Sequence, residues 1–298
     1  MKLATTTGDL AGFAKSHTEA MEITSRAGFT HFDYNFGVDS WLGKGVYSRD
    51  SQGYYENIRE FAEEKGFHLV QAHSPMGRPI AADNEAFLKL TADCVEACGK
   101  MGIPQIVVHS GYEMGLTKKE CFARNREFFL PLLEVGEKWG VNVLVENFNK
   151  MEVPGLYWVD NAPDLLELIE TVDHPLFHAV WDTGHANMQE MPQSEAIGIL
   201  GSHVLGVHVH DNDGTGDTHL TPYLGTLSMD SVMQGLLAVG YKGCFTFEVG
   251  GIFAPADKRR RAEKEKLLTP GLEIRLAMEK YLYELGKNVL MQYGCFEE

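Results

Sequence analysis

Seven short motifs in this chain carry imidazoles or carboxylates, and six of them close an apolar run. In order they are QAHSP with His73, VVHSG with His109, LVENF with Glu146, WDTGH with Asp182 and His185, GVHVHDN with His208, His210 and Asp211, GDTHL with Asp217 and His219, and FTFEVGG with Glu248. One such residue alone is ordinarily a hydrogen-bonded structural group. The repetition points to a shared cause. Carboxylates gathered in a partly buried place repel and raise one another's pKa unless a cation neutralises them. A divalent metal supplies that charge. Mixed oxygen and imidazole donors suit Mn, Zn, Fe or Co, whereas an all-oxygen set suits Mg or Ca. No cysteine stands in these motifs, which argues against a closed structural zinc site.

The elements that must bring these groups together follow from the apolar pattern. Short runs predict strands at Lys2–Thr6, Phe29–Tyr34, His68–His73, Gln105–His109, Asn142–Glu146, His178–Asp182, Val204–His208 and Cys244–Glu248. Amphipathic stretches between them predict helices at Thr18–Ala27, Tyr54–Lys65, Asn84–Met101, Lys118–Trp139, Pro163–Val172, Pro192–Leu200 and Met229–Val239, with a last helix over about Pro270–Leu285. Gly28, Gly66, Gly102, Gly140 and Gly240 follow helical runs, where a left-handed residue closes a helix. Consecutive apolar positions such as IVV and VLV suit parallel strands covered on both faces. This alternation predicts an α/β fold, a (β/α)8 TIM barrel over residues 1–298 with its core in about 1–285 and a C-terminal helical extension. C-terminal strand ends of a barrel meet at one mouth. No Gly-x-Gly-x-x-Gly follows the first strand and no Pro-, Gly- or Ser-rich linker divides the chain. Two connections, Phe36–Gly53 and Asp211–Ser228, are longer than a barrel needs.

Composition narrows the partners. The formal net charge of −16 disfavours nucleic acid, whose affinity comes largely from Lys and Arg neutralising phosphates. The cluster Lys258-Arg259-Arg260-Arg261 is followed by Glu263 and Glu265 and reads as a solvated face. No apolar run is long enough to span a bilayer and the N-terminus lacks a signal pattern, so the cytoplasm is the expected location. Five cysteines without zinc-site spacing read as ordinary thiols. His17, His31, His68, His174, His178 and His203 fall away from the mouth and read as structural.

The ordered series VVHSG, VEN, WDTGH, HVHDN, DTHL and FEVGG resembles the xylose-isomerase-like TIM-barrel superfamily, the sugar phosphate isomerase/epimerase group that shares its fold and metal-site pattern with endonuclease IV. The resemblance covers roughly residues 1–285. It implies a metal-dependent isomerase or epimerase acting on a small keto or aldo sugar, or a related polyol, by proton abstraction beside a carbonyl. It also implies one divalent ion (Mn, Zn or Co, with Mg admissible) held by Glu146, Asp182, His208 and Glu248. Glu146 and Glu248 carry over as the acid/base pair, and His185 as the imidazole on the substrate. His73, His109, Asp217 and His219 are expected to contact substrate, with Trp41 as a lid residue. A small-molecule sugar is the expected partner, with no membrane and no nucleic acid, and a homo-oligomer is left open. Two alternatives stay open. Endonuclease IV's zinc ligands can be laid onto His73, His109, Glu146, Asp182, His185, His208, Asp217, His219 and Glu248, and a keto-sugar or inosose dehydratase or lyase begins with the same proton abstraction. Some ketose epimerases carry an Arg shortly after the seventh-strand His; here DNDGTGDTH has no basic residue before His219.

Overall fold

In the computed structural model, residues 1–49, 51–250 and 271–298 are described. The basic cluster Lys258–Arg261 and the start of the expected last helix at Pro270 lie outside them.

Eight strands, β1 (Leu3–Thr6), β2 (His31–Asn35), β3 (His68–His73), β4 (Gln105–His109), β5 (Asn142–Glu146), β6 (Phe177–Asp182), β7 (Val204–Val209) and β8 (Phe245–Phe247), close in sequence order into a barrel. Every neighbouring pair is parallel, and β8 closes the ring on β1 through Leu3–Phe245, Ala4–Thr246 and Thr5–Phe247. Among the described residues the helices are α1 (His17–Ser25), α2 (Phe36–Leu42), α3 (Tyr54–Lys65), α4 (Glu85–Met101), α5 (Lys118–Trp139), α6 (Ala162–Val172), α7 (Thr183–Asn187), α8 (Gln193–Leu200), α9 (Met229–Ala238) and α10 (Leu272–Gln292).

Local chemistry sets these boundaries. Thr117 and Glu120 cap α5 reciprocally, and Asn161 caps α6 by accepting from the Asp164 N–H. The five glycines expected to end helices all have positive φ. Side chains along a strand alternate between faces. Ile106, Val108, Val143, Val145, Ala179 and Trp181 belong to the large core shared with the helices, whereas Val107, Leu144 and Val180 form a separate apolar cluster. A Cβ on Gly206 would meet Leu144 and Val180, so that smaller cluster lies on the β7 side of the barrel interior. His109, Glu146, Asp182 and His208 stand two residues beyond Val107, Leu144, Val180 and Gly206, and therefore point the same way, one layer nearer the mouth.

The connection expected as an open stretch from Phe36 to Gly53 instead holds α2 and a short 3-10 turn, Gly45–Tyr47. The reason is Asp39. Fully buried, it accepts hydrogen bonds from the hydroxyls of Tyr34 (3.0 Å), Tyr54 (3.1 Å) and Tyr55 (3.1 Å), and lies 3.2 Å from His17 Nε2. The last helix also differs from expectation: α10 runs to Gln292 because Val289 and Leu290 remain buried beyond Leu285. Among the described residues, no helix is long and apolar enough to cross a membrane.

Candidate metal and substrate site

The mouth of the barrel holds a cavity of about 260 Å³. His73, His109, Glu146, His185, Asp217, His219 and Glu248 line it, together with Asn35, Phe148 and Met76. Asp182 and His208 lie deeper, both buried.

Among the described residues, three groups of side chains could each hold an ion, and one of them, His73, Glu146 and His208, overlaps the four-residue group that contains Glu146. In the first of the other two, ligand atoms of Glu146, Asp182, His208 and Glu248 lie within 4.8 Å of one another. In the second the same is true of His185, His210, Asp217 and His219. Within the first, His208 Nδ1 is 2.8 Å from Glu146 Oε1 and 3.7 Å from Glu248 Oε2. Glu146 Oε2 is buried, 3.3 Å from His109 Nε2 and 3.5 Å from His73 Nε2, but accepts no well-formed hydrogen bond.

Three imidazoles are oriented in the same manner. His73 donates Nδ1–H to the Ser74 carbonyl (2.8 Å), His185 to that of Asn147 (2.8 Å) and His219 to that of Glu248 (2.9 Å). Carbonyl oxygens only accept, so Nδ1 carries the proton and Nε2 faces a carboxylate: Glu146 for His73, and Asp217 at 3.3 Å for both His185 and His219. This is how metal-binding imidazoles are commonly aimed from behind.

The charges respond to this crowding. Burial alone would push Glu146 up, but the surrounding imidazoles, His208 first, hold its carboxyl well below the usual range. Burial would lower His185 and His219, yet Asp182 and Asp217 for the first, and Asp217 and Glu248 for the second, raise both to about 10. His73 rises to about 9 because contact with Glu146 outweighs its burial. For His109 burial wins, and the ring is held neutral down to about 3.

Asp182 joins the two four-residue groups. Its Oδ1 caps α7 by accepting the His185 N–H (2.7 Å), and its carboxylate lies 3.0 Å from His210 Nε2. Asn147 locks the strand end beneath, accepting from Asp182 N (2.8 Å) and donating to its carbonyl (3.0 Å). His210 is buried and stacked on His219 at 3.8 Å, and it fits only because residue 184 is glycine: a Cβ there would sit 1.9 Å from His210 Cε1. Asp217 and His219 ride on the connection after β7, which Asp211 clamps. Its carboxylate accepts from the N–H groups of Asn212, Gly225 and Leu227, and its main chain pairs with Leu220.

Trp41 lies on α2 with 74% of its surface exposed and is not among the residues lining the cavity. Trp158 and Trp181 are buried; Trp158 packs on Phe148 at 4.7 Å, and Trp181 donates to Gln193. Sequence reasoning did not single out Phe148, whose ring sits 5.0 Å from that of His109 and 5.5 Å from that of His185. Its spacing, two residues past Glu146 within LVENF, is the signal that could have found it. Asp33 and Gln71 meet the far side of His208 and were missed: Asp33 lies in no motif, and in QAHSP only His73, not Gln71 two residues before it, was weighed.

A parallel barrel whose mouth gathers carboxylates and imidazoles from six strand ends defines a class of architecture, and the chain's kinship agrees with it. Residues 21–267 match the family model described as xylose isomerase-like TIM barrel, and the chain belongs to that family. It is 28% identical over 232 residues to an uncharacterised protein of Methanocaldococcus jannaschii, covering 74% of this chain and 76% of that one. Fructoselysine 3-epimerase of Escherichia coli O157:H7 is 26% identical over 166 residues, and the match spans 54% of this chain and 58% of the epimerase. The solved structure of an L-ribulose 3-epimerase superposes with a TM-score of 0.72 at 16% identity, covering 98% of this chain and 94% of that one, a likeness of fold.

Proposed function

We propose that this protein is a divalent-metal-dependent sugar isomerase or epimerase, in which Glu146, Asp182, His208 and Glu248 hold the ion. The observation that carries the reading is the convergence of three carboxylates and an imidazole, all but Glu248 buried, with Glu146 Oε2 left without a hydrogen bond. Mixed oxygen and nitrogen donors suit Mn, Zn or Co. A cation held by these residues would supply Lewis-acid polarisation of a substrate carbonyl, which makes the neighbouring C–H acidic.

The chain's own groups do the rest. Glu146 ends β5 and Glu248 follows β8, three strands further round the ring. One carboxylate takes the proton and the other returns it, to the opposite face for epimerisation or to the neighbouring carbon for isomerisation. His185, its Nδ1–H tied to Asn147, keeps Nε2 directed into the cavity to hydrogen-bond a substrate oxygen as negative charge builds there. Phe148 gives the sugar an apolar wall and limits water. Similarity to fructoselysine 3-epimerase favours a ketose and exchange beside its carbonyl.

Metal-stripped protein reloaded with Mn, Co or Zn and incubated with ketoses in deuterium oxide is expected to exchange one C–H, read by NMR, and Glu248→Gln is expected to stop it. Full exchange by the Gln variant would remove Glu248 from the acid/base role.

The second group, His185, His210, Asp217 and His219, favours one other reading, a multi-metal phosphodiesterase of the endonuclease IV kind. Metal analysis separates the two: one ion per chain supports the sugar enzyme, and two or more with cleavage of abasic DNA supports the nuclease.

A further inference from the structure

His208 is turned the opposite way from its neighbours. His73, His185 and His219 back their Nδ1–H against main-chain carbonyls. His208 instead presents Nδ1 to Glu146 and Glu248, and sends Nε2 down into the barrel. There it meets Asp33 Oδ2 at 3.2 Å and the Gln71 amide nitrogen at 2.9 Å. Gln71 donates to the same carboxylate oxygen at 2.6 Å, and its own carbonyl accepts from Gln105 at 3.3 Å. The interior is shaped for this chain of groups: a Cβ on residue 206 would lie 2.4 Å from Gln71 Oε1, so Gly206 makes the room.

A carboxylate in a barrel interior is costly unless something there needs it. Asp33 is 2% exposed and Gln71 1%. An imidazole that offers one nitrogen to a cation must keep its proton on the other. Two groups compete to decide which nitrogen that is. The Gln71 amide, a donor, favours a bare Nε2, which would leave the proton on Nδ1, aimed at the carboxylates. The Asp33 carboxylate, an acceptor, favours Nε2–H and a bare Nδ1. We propose that Asp33 is a positioning residue for His208: it accepts the Nε2 proton and commits Nδ1 to the ion-binding group. This rests on the metal site proposed above.

The test is metal affinity, measured by chelator competition with Zn and Co, beside thermal unfolding of the metal-free protein. Asp33→Asn keeps the volume and removes the charge. It is expected to weaken binding by about 10- to 100-fold, as loss of a carboxylate behind a liganding imidazole does, with metal-free unfolding little changed. Unchanged affinity, with or without a loss of stability, overturns the proposal and leaves Asp33 a packing residue. Long-range ¹H–¹⁵N spectra of the unsubstituted protein give an answer that does not depend on the variant folding. Zn-loaded His208 is expected to carry its proton on Nε2, and a proton on Nδ1 overturns the inference. Asp182→Ala is the control: if it too binds metal as the parent does, the metal site itself is misassigned, and the failure is not that of Asp33.

Discussion

Asp182→Ala removes a helix cap and a negative charge together, whereas Asp182→Asn removes only the charge. The cap is the hydrogen bond from His185 N–H at 2.7 Å, and losing such a cap costs about 0.5–2 kcal/mol. The charge also faces His210, buried and 3.0 Å away; leaving such a group without its partner costs about 1–3 kcal/mol. For the metal-free protein the Ala variant should therefore lose roughly 1.5–5 kcal/mol, a fall of about 2–8 °C in Tm for a chain of this size. The Asn variant retains an oxygen for the cap and should lose about half of that. Both should lose the rise in Tm that added Mn, Co or Zn gives the parent protein, since a ligand stabilises only the state that binds it. Differential scanning calorimetry with and without metal reads both effects. An Asn variant with the parent's metal-induced shift would refute the ligand assignment. An Ala variant as stable as the parent would refute the local accounting.

Further expectations follow from packing and from proton binding. Gly184→Ala places a methyl 1.9 Å from His210 Cε1, so the ring must move off His219. A loss of about 1–3 kcal/mol and reduced metal content are expected, and an unchanged unfolding midpoint would show that the ring has room. On the acid side, burial first, then His68 and Lys2, lowers His31 to about 4. Its folded value lies below the unfolded one of about 6.5, so the unfolded state takes up the proton first and stability falls as pH drops from 6.5 to 4. That slope amounts to at most about 3 kcal/mol. Urea midpoints at pH 6.5 and 4 should show it in the parent and show less of it in His31→Asn; equal slopes would remove His31 as the cause.

The barrel was readable because its signal is repeated: strand after strand is an apolar run, and glycine closes helix after helix. The mouth was readable for the same reason, since residues from separate motifs line one cavity. What escaped was set by contacts made at a distance. The helix Phe36–Leu42 depends on Asp39 finding three tyrosine hydroxyls, two of them on α3, which no local pattern announces. The turn of helix after Asp182 is too short for periodicity to register and exists through its cap. Asp33 and Gln71 stand inside strands, where a polar residue in a sequence looks like a solvent-facing one. Only closure of the barrel turns them inward.

The Asp211 clamp bears on how such a protein diversifies. Asp211, its bridge to Leu220 and the Asn187–Asn212 contacts pin the connection after β7, while the outer turn is bonded within itself, Asp213 Oδ1 accepting from Thr215 and Gly216. Insertions there would remodel the rim that meets arriving molecules while Asp217 and His219 keep their positions. Novelty in what the barrel accepts can accumulate at that outer turn without disturbing the reacting centre.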